Sequence, residues 1–401
     1  MNRSRIDEAL AKLLDYVEAE DYEGYDPYDT LNSFVPFHWL GKWGPVLAIQ
    51  VQKRNPVNIR PLIGVRKEIN PKAIGLFLRA YSQLYRSTGE QKYLERAHEM
   101  FDWLKQNPSG GYSKYCWGYN FPWASPVKHV GAYVPSVVAT GFVVKGVYEY
   151  WRVLRELPDG ESTGRLAEIK EVLKGAADFV LQHLDRIEDE TGVCISYTPV
   201  MKDACYNASL LGTEILARYL SVVRGCENEA EILRLIEASM DFVTARQLEN
   251  GCWNYSIDLE TGTERRQIDF HQGYVIESME EIMRLTGQRK PQWEQAVMRG
   301  LEFYRKQQFT EDGRSWWRLP KEWPVEIHNQ TQGIVTFSMF DEYRDFAGTV
   351  AEYTITTMQD RCGHFYYQKF PFYTNKIPYM RWSNAWMTVA LSALSVKSSA
   401  I

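Results

Sequence analysis

One local pattern recurs five times along this 401-residue chain. A segment with helical periodicity ends in a polar or Gly-containing turn, an aromatic residue follows, and a second helical segment begins soon after. The clearest copies are Gln106-Asn-Pro-Ser-Gly-Gly-Tyr112, Gln247-Leu-Glu-Asn-Gly-Cys-Trp253 and Gln359-Asp-Arg-Cys-Gly-His-Phe365, each with a Gln six positions before the aromatic. Looser copies run from Gln182 to Tyr197 and from Gln307 to Trp316. Repetition at a spacing of roughly 50 to 75 residues restricts the chain to stacked supersecondary units, here helical hairpins around an axis.

The two helices of each unit differ. In 232–246, Ile232, Leu235, Ile236, Phe242 and Val243 share one face, with Glu231, Arg234, Glu237 and Asp241 outside it. The partner type is apolar nearly all round, as in 137–144 and 208–215. A helix without a polar face must be buried on both sides, so the amphipathic helices form an outer ring around an inner one. The predicted pairs, outer then inner, are 5–20 with 70–87, 91–107 with 134–155, 165–185 with 205–224, 228–248 with 271–286, 291–308 with 329–345, and 346–359 with 381–397. Six pairs close a circle, which gives an all-α (α/α)6 toroid. No linker rich in Pro, Gly or Ser divides it, so one domain is expected over 1–401. The long connections, 22–69, 108–133, 251–270 and 365–380, all lead from an outer to an inner helix. One rim is therefore decorated and the other bare, and the site is expected in a central funnel ringed by the inner-helix N-termini.

Composition narrows the function classes. The net charge of −5 gives no support to a nucleic-acid partner or an acidic membrane. The aromatic share is 14%, with 13 Trp and 25 Tyr, enough to plug every turn and still line a pocket for rings or chains. Six cysteines without a CxxC pair read as reduced thiols in a cytoplasmic setting. The N-terminus is a charged amphipathic segment with no signal-peptide pattern. The most apolar stretch, 134–147, carries Lys145 and is too short to cross a bilayer.

Three consecutive inner helices are preceded by an acid, a spacer and a Cys or His: Asp203-Ala-Cys205, Asp269-Phe-His271 and Glu326-Ile-His328. Asn207, Gln272, Asn329 and Gln330 follow closely, and the last repeat puts Arg381-Trp382-Ser383-Asn384 at the matching place. The structural explanation is helix capping, since acids and Asn satisfy free N–H groups at a helix start. The functional one is acid–base chemistry in a shared cavity, because His titrates near neutrality and adjacent acids tune it. On that reading Asp203, Asp269, His271, Glu326 and His328 are the catalytic candidates. Asp29, Trp117, Tyr119, Asn207, Gln272, Arg381 and Trp382 are the substrate-binding candidates, while Asp26, before Pro27, reads as a turn residue. Cations for a uronate carboxylate are sought at Arg66, Arg318 and Arg381. No cofactor is expected. The alternative is zinc at Asp203, Cys205 and His271, a set that resembles the Asp-x-Cys and downstream His of protein prenyltransferase β-subunits.

The segments Tyr25-Asp-Pro-Tyr-Asp29, Cys116-Trp-Gly-Tyr-Asn-Phe-Pro-Trp123 and Arg381-Trp-Ser-Asn-Ala-Trp386 resemble VpsJ-like polysaccharide biosynthesis proteins of bacterial and archaeal exopolysaccharide and capsule clusters. The resemblance runs the length of the chain. It implies a six-hairpin toroid, an oligosaccharide or polysaccharide partner and work on cell-surface glycans, without assigning a reaction. More distantly the chain is similar to six-hairpin glycosidases, uronate lyases and sugar epimerases. The expected function is thus a carbohydrate-active enzyme of hydrolase, lyase or epimerase type. Its rivals are an isoprenoid-handling toroid and a non-catalytic glycan-binding scaffold.

Overall fold

The computed structural model describes residues 3–125, 128–158 and 162–395. Along them run α1 (Arg3–Ala19), α2 (Trp43–Arg54), α3 (Pro71–Thr88), α4 (Gln91–Gln106), α5 (Val137–Leu154), α6 (Thr163–His183) and α7 (Tyr206–Val222). Then follow α8 (Glu229–Thr244), α9 (His271–Thr286), α10 (Pro291–Gln308), α11 (Ile327–Ser338), α12 (Arg344–Met358) and α13 (Trp386–Ser395). Helices α3, α5, α7, α9, α11 and α13 each pack on the next, and α13 returns onto α3. This closes the inner ring. Helices α1, α4, α6, α8, α10 and α12 lie outside it, each against its inner partner or neighbour. The expected all-α toroid is the observed fold.

The contrast between the two helix types appears in their burial. Every residue of α11 is buried, whereas α8 buries Ile232, Leu235, Ile236, Phe242 and Val243 and leaves Glu231 outside. Among the described residues all short strand pairs lie in outer-to-inner connections, on one rim. Two three-stranded antiparallel sheets tie neighbouring units together there. Ala204 pairs with Ile257 in one, and Glu326 with Gln368 in the other.

Three boundaries depart from the sequence reading. The inner helix expected over 329–345 stops at Ser338, whose carbonyl accepts from Arg344 Nη1 at 3.3 Å. The last inner helix opens with a wide π-helical turn at Met380–Ala385. Helix α2 was not expected at all. Its Gly44-Pro45 start looks like a breaker, although Pro is well tolerated in a first turn.

The recurrent turn has a common construction. The backbone N–H after each turn is buried and donates to a side chain near the start of the following inner helix. Trp117 donates to Thr140 Oγ1 at 3.0 Å, Ile195 to Ser209 Oγ at 2.9 Å, and Trp253 to Gln272 Oε1 at 2.9 Å. Ser315 donates to Gln330 Oε1 at 2.7 Å, and Phe365 to Asn384 Oδ1 at 2.9 Å. In the copy that starts at Gln106, the plug is therefore Trp117 and not Tyr112. Trp117 and Trp253 also donate their indole N–H to Leu104 and Val243 carbonyls, near the ends of outer helices α4 and α8. Gln247 Nε2 reaches the Gly251 carbonyl at 2.8 Å and Ala296, on the next outer helix, at 2.7 Å. Gln359 does the same with Gly363 at 2.9 Å and Ala9 at 2.8 Å, so the sixth unit grips the first.

Glycine in these turns is required twice over. Gly363 has φ +102, and a Cβ there would overlap the Lys12 carbonyl oxygen of α1. Gly89 has φ +73, with nothing within 4 Å of a Cβ. Ala at either position meets the same left-handed backbone penalty, but only Gly363→Ala must also push α1 away. Gly363→Ala is expected to destabilise the protein by at least about 1 kcal/mol more than Gly89→Ala, read as the difference in urea midpoint between the variants. Equal midpoints would mean that this contact does not hold the ring shut.

Candidate active site

The mouth of the funnel is built where inner helices begin. Asp269 stands two residues before α9. Its Oδ1 accepts the His271 backbone N–H at 3.2 Å and contacts the ring Nδ1 at 2.5 Å. Capping and chemistry therefore coincide in one carboxylate. Its Oδ2 accepts from Gln267 Nε2 at 3.0 Å and faces Arg318 Nε at 3.4 Å. Burial alone would raise the Asp269 pKa, but the His271 ring and the Arg318 guanidinium hold it below the ordinary carboxylate value. The His271 side chain is 15% exposed, and its Nε2 has no hydrogen-bond partner among the described residues. The ring stands between Tyr255, at 4.8 Å, and Phe270, at 4.2 Å between centroids.

His328, in the first turn of α11, is fully buried. Its Nε2 lies 2.5 Å from Tyr274 Oη, and Phe270 and Trp382 cover the ring at 4.3 and 4.4 Å. Burial pushes this imidazole well below its ordinary value, and the positive charges of Lys72 and Arg381 add to the effect. His328 is thus a neutral ring beneath the floor, while His271 stands at the surface of the funnel.

Glu326 is committed structurally. Its Oε1 accepts from Trp382 Nε1 at 3.1 Å, and its Oε2 from Gln368 Nε2 at 2.8 Å and Trp317 Nε1 at 3.2 Å. It orients the Trp382 indole, which is 8% exposed. Lys53 sits beside that ring, 5.4 Å from its centroid, and hydrogen-bonds Tyr28.

Arg381 is buried in a bidentate pair with Asp26, Nε–Oδ2 2.6 Å and Nη2–Oδ1 2.7 Å, beside the Tyr119 ring at 4.9 Å. The turn residue Asp26 is therefore also the anchor of Arg381. Asp29 pairs with Arg60 Nε at 2.6 Å and accepts the Asp26 backbone N–H at 2.8 Å. Burial pushes its carboxyl up to about 6 despite Arg60. A pocket of about 10 Å³, room for roughly one water, lies between these pairs and Asn120.

Several candidates from the sequence are corrected by their positions. Trp117 has no exposed surface and plugs its turn, the structural role that its loop already offered. Gln272 spends its whole amide on the Trp253 backbone, accepting at 2.9 Å and donating at 2.8 Å. Buried Asn207 accepts from Cys205 Sγ at 3.2 Å. Asp203 is half-buried and accepts the Tyr197 backbone N–H at 2.9 Å. Tyr119, half-buried, stacks on Phe121 at 5.4 Å. Zinc does not fit Asp203, Cys205 and His271, whose donor atoms make these separate contacts. Among the described residues no three His, Cys, Asp or Glu side chains converge as a metal site.

Lys72 is the residue that the sequence reading passed over. It follows Asn70, the N-cap of α3, and is buried with its ammonium 4.1 Å from the Phe142 ring and 5.4 Å from Trp386. No carboxylate pairs with it among the described residues. Desolvation, with Arg381 nearby, lowers its pKa well below the ordinary lysine value. Its signal was positional: Asn70-Pro71 marks the helix start as plainly as the Asp-x-His segments do.

Below this floor the axis is sealed by charge. Lys145 Nζ contacts Glu277 at 2.9 Å and Glu214 at 3.1 Å, Arg79 contacts Glu277 at 3.0 Å, and Arg218 joins Glu214 and Glu281 at 2.5 and 3.0 Å. Burial opposes ionisation of Glu277, yet Lys145 and Arg79 hold it down to about 2. The larger depression, about 520 Å³, lies on the opposite rim beside Glu280, Glu281 and Asp341. It contains no His. Glu281 is paired with Arg218 and Arg284, and Glu280 with Arg289. The concentration of distinctive chemistry is at the decorated rim, not at this larger cavity.

No family model matches the chain, and the comparison with curated proteins gives no match. Solved structures do match in fold. Cellobiose 2-epimerase from Bacillus thermoamylovorans B4167 is 16% identical with a TM-score of 0.57, covering 82% of this chain and 90% of that one. An unsaturated glucuronyl hydrolase specific for heparin is 12% identical with a TM-score of 0.58, covering 98% and 96%. An α-mannanase of glycoside hydrolase family 76 from Bacteroides thetaiotaomicron is 13% identical with a TM-score of 0.55, covering 81% and 85%. At these identities the likeness is one of fold, the six-hairpin toroid of carbohydrate-active epimerases and hydrolases.

The depressed Asp269 pKa has a stability consequence. Its ionised form is favoured in the folded state, so its contribution is present above the unfolded value and lost as pH falls through the folded one. Asp269→Asn is expected to lose stability at pH 7 and to show a shallower decline between about pH 5 and pH 2 than the parent, read from urea midpoints across that range. Parallel curves for the two proteins would mean that the carboxylate is not held by His271 and Arg318.

Proposed function

We propose that this protein is a carbohydrate-active enzyme that moves a proton at a sugar carbon next to a carbonyl or carboxylate, as an epimerase, isomerase or uronate lyase would. The Asp269–His271 pair at the funnel mouth carries this reading. A carboxylate that accepts from Nδ1 fixes the imidazole so that Nε2 presents its lone pair outward, and it stabilises the imidazolium that forms on proton uptake. Arg318, which reaches solvent beside Asp269, supplies positive charge for an enolate oxygen or a uronate carboxylate. Trp382 and Tyr255 offer ring faces for a sugar. Tyr274 and neutral His328 underlie Phe270 and form a second hydrogen-bonded pair within one ring layer of His271. Epimerases among the structures of this fold support the same class of chemistry.

Glycoside hydrolysis is the second reading, supported by the hydrolases among those structures. It needs two carboxylates flanking a glycosidic bond. Glu326 is engaged by three donors, and Asp29 is held by Arg60, so the acids fit supporting roles better than catalytic ones. The substrate setting we infer is a cell-surface or exopolysaccharide glycan handled in the cytoplasm, as the Cys116–Trp123 and Arg381–Trp386 resemblance suggests.

Incubation in D2O with reducing disaccharides, mannose and uronate-containing oligosaccharides tests this. Proton NMR is expected to show deuterium entering one carbon of a substrate. His271→Gln should slow that exchange by about 10²- to 10⁴-fold with the fold intact. Glycosidic cleavage without carbon exchange, or a fully active His271→Gln, would overturn the proton-transfer reading.

A further inference from the structure

The acids of this chain are unevenly spread. The net charge is −5, yet 30–67 contains no Asp or Glu and carries Lys42, Lys53, Arg54, Arg60, Arg66 and Lys67. A second acid-free stretch, 361–379, carries Arg361, Lys369 and Lys376. The two meet in space, where Asn375 Nδ2 donates to the Asn55 carbonyl at 3.3 Å, just past the end of α2. Together they form one face with cations and no carboxylates of its own.

That face is also unusually apolar. Trp43, Leu47 and Val51 recur every four residues along α2, a single helical stripe, and all three are exposed. Trp39 and Leu40, immediately before the helix, extend the stripe at 80% and 74% exposure. At the tip of the neighbouring hairpin Phe372 is 97% exposed. Single exposed apolar residues need no explanation, but a run of this size on one face marks an interaction surface. Exposed Lys42, Arg54 and Arg66 border it and make no ion pair among the described residues.

We propose that this face docks on an anionic lipid bilayer. Helix α2 would lie in the interfacial plane, with Trp43, Leu47 and Val51 at the acyl boundary and the bordering cations among the headgroups. Charge selects this occupant over a second copy of the chain. A two-fold contact sets the same patch against itself, and here it would oppose Lys42 and Arg54 to their own counterparts with no acid between them. No helix among the described residues is long and apolar enough to cross a membrane, so the attachment is peripheral. The proposal rests on this surface and not on the proton-transfer reading.

Co-sedimentation of the full chain with vesicles tests it. Binding to mixed phosphatidylcholine–phosphatidylglycerol vesicles is expected, and at least about tenfold weaker binding to phosphatidylcholine alone. The exposed-residue variant Leu40→Ser/Leu47→Ser/Phe372→Ser should also lose at least about tenfold in binding while keeping the parental melting temperature. Lys42→Glu/Arg54→Glu should weaken binding to the anionic vesicles alone. No partitioning into anionic vesicles, or equal binding by parent and triple variant, overturns the proposal. A dimer that the triple variant dissolves, with no vesicle binding, overturns it in favour of self-association.

Discussion

A buried backbone N–H that needs an acceptor fixes the geometry of the whole funnel. After each recurrent turn the chain dives into the core, and an unpaired amide there would cost about 1–3 kcal/mol. Thr140, Ser209, Gln272, Gln330 and Asn384 each accept one such N–H from the inner ring. The bond sets where an inner helix stands relative to its outer partner. In α9 it immobilises Gln272, so the adjacent His271 is turned toward the mouth and Asp269 falls at the position that both caps the helix and holds the ring. The site is a by-product of the hairpin's own satisfaction of hydrogen bonds, refined by the choice of side chains beside the clamp.

This explains what could be read from the chain alone. Helix periodicity and the Gln-to-aromatic turns depend on local spacing, so the toroid, its two rings and its decorated rim were legible. The acid-x-His register was legible for the same reason. What those residues do was not, because burial and partners are long-range properties. Glu326 looks like Asp269 in sequence, but Trp317, Gln368 and Trp382, from 9 to 56 positions away, convert it into a structural acceptor. Gln272 looks like a ligand and is a clamp. Lys72 was hidden because its surroundings, Phe142 and Trp386, come from other repeats. Helix α2 was missed because its stripe of Trp and Leu faces outward, against the expectation that an apolar face is a buried one.

Charge is organised at three depths. At the mouth, Asp269, Arg318 and His271 form a small polar group open to solvent. Beneath them Lys72 and His328 lie among aromatic rings, where burial disfavours their charged forms. Deeper still, the Lys145, Glu214 and Glu277 network fills the axis, and its partners keep one another ionised. A ligand entering the funnel therefore meets one reachable titratable ring with a fixed orientation. That layering is what makes proton transfer, rather than a pair of free carboxylates, the chemistry best served by this rim.

The most direct measurement is a crystal structure of the unmodified protein with a reducing disaccharide or uronate-containing oligosaccharide bound. The account predicts a sugar ring against Trp382 or Tyr255, with one ring carbon or its hydroxyl facing His271 Nε2 and Arg318 turned toward a substrate oxygen. A sugar seated only in the depression beside Glu280 and Asp341, with the His271 mouth unchanged, would contradict it.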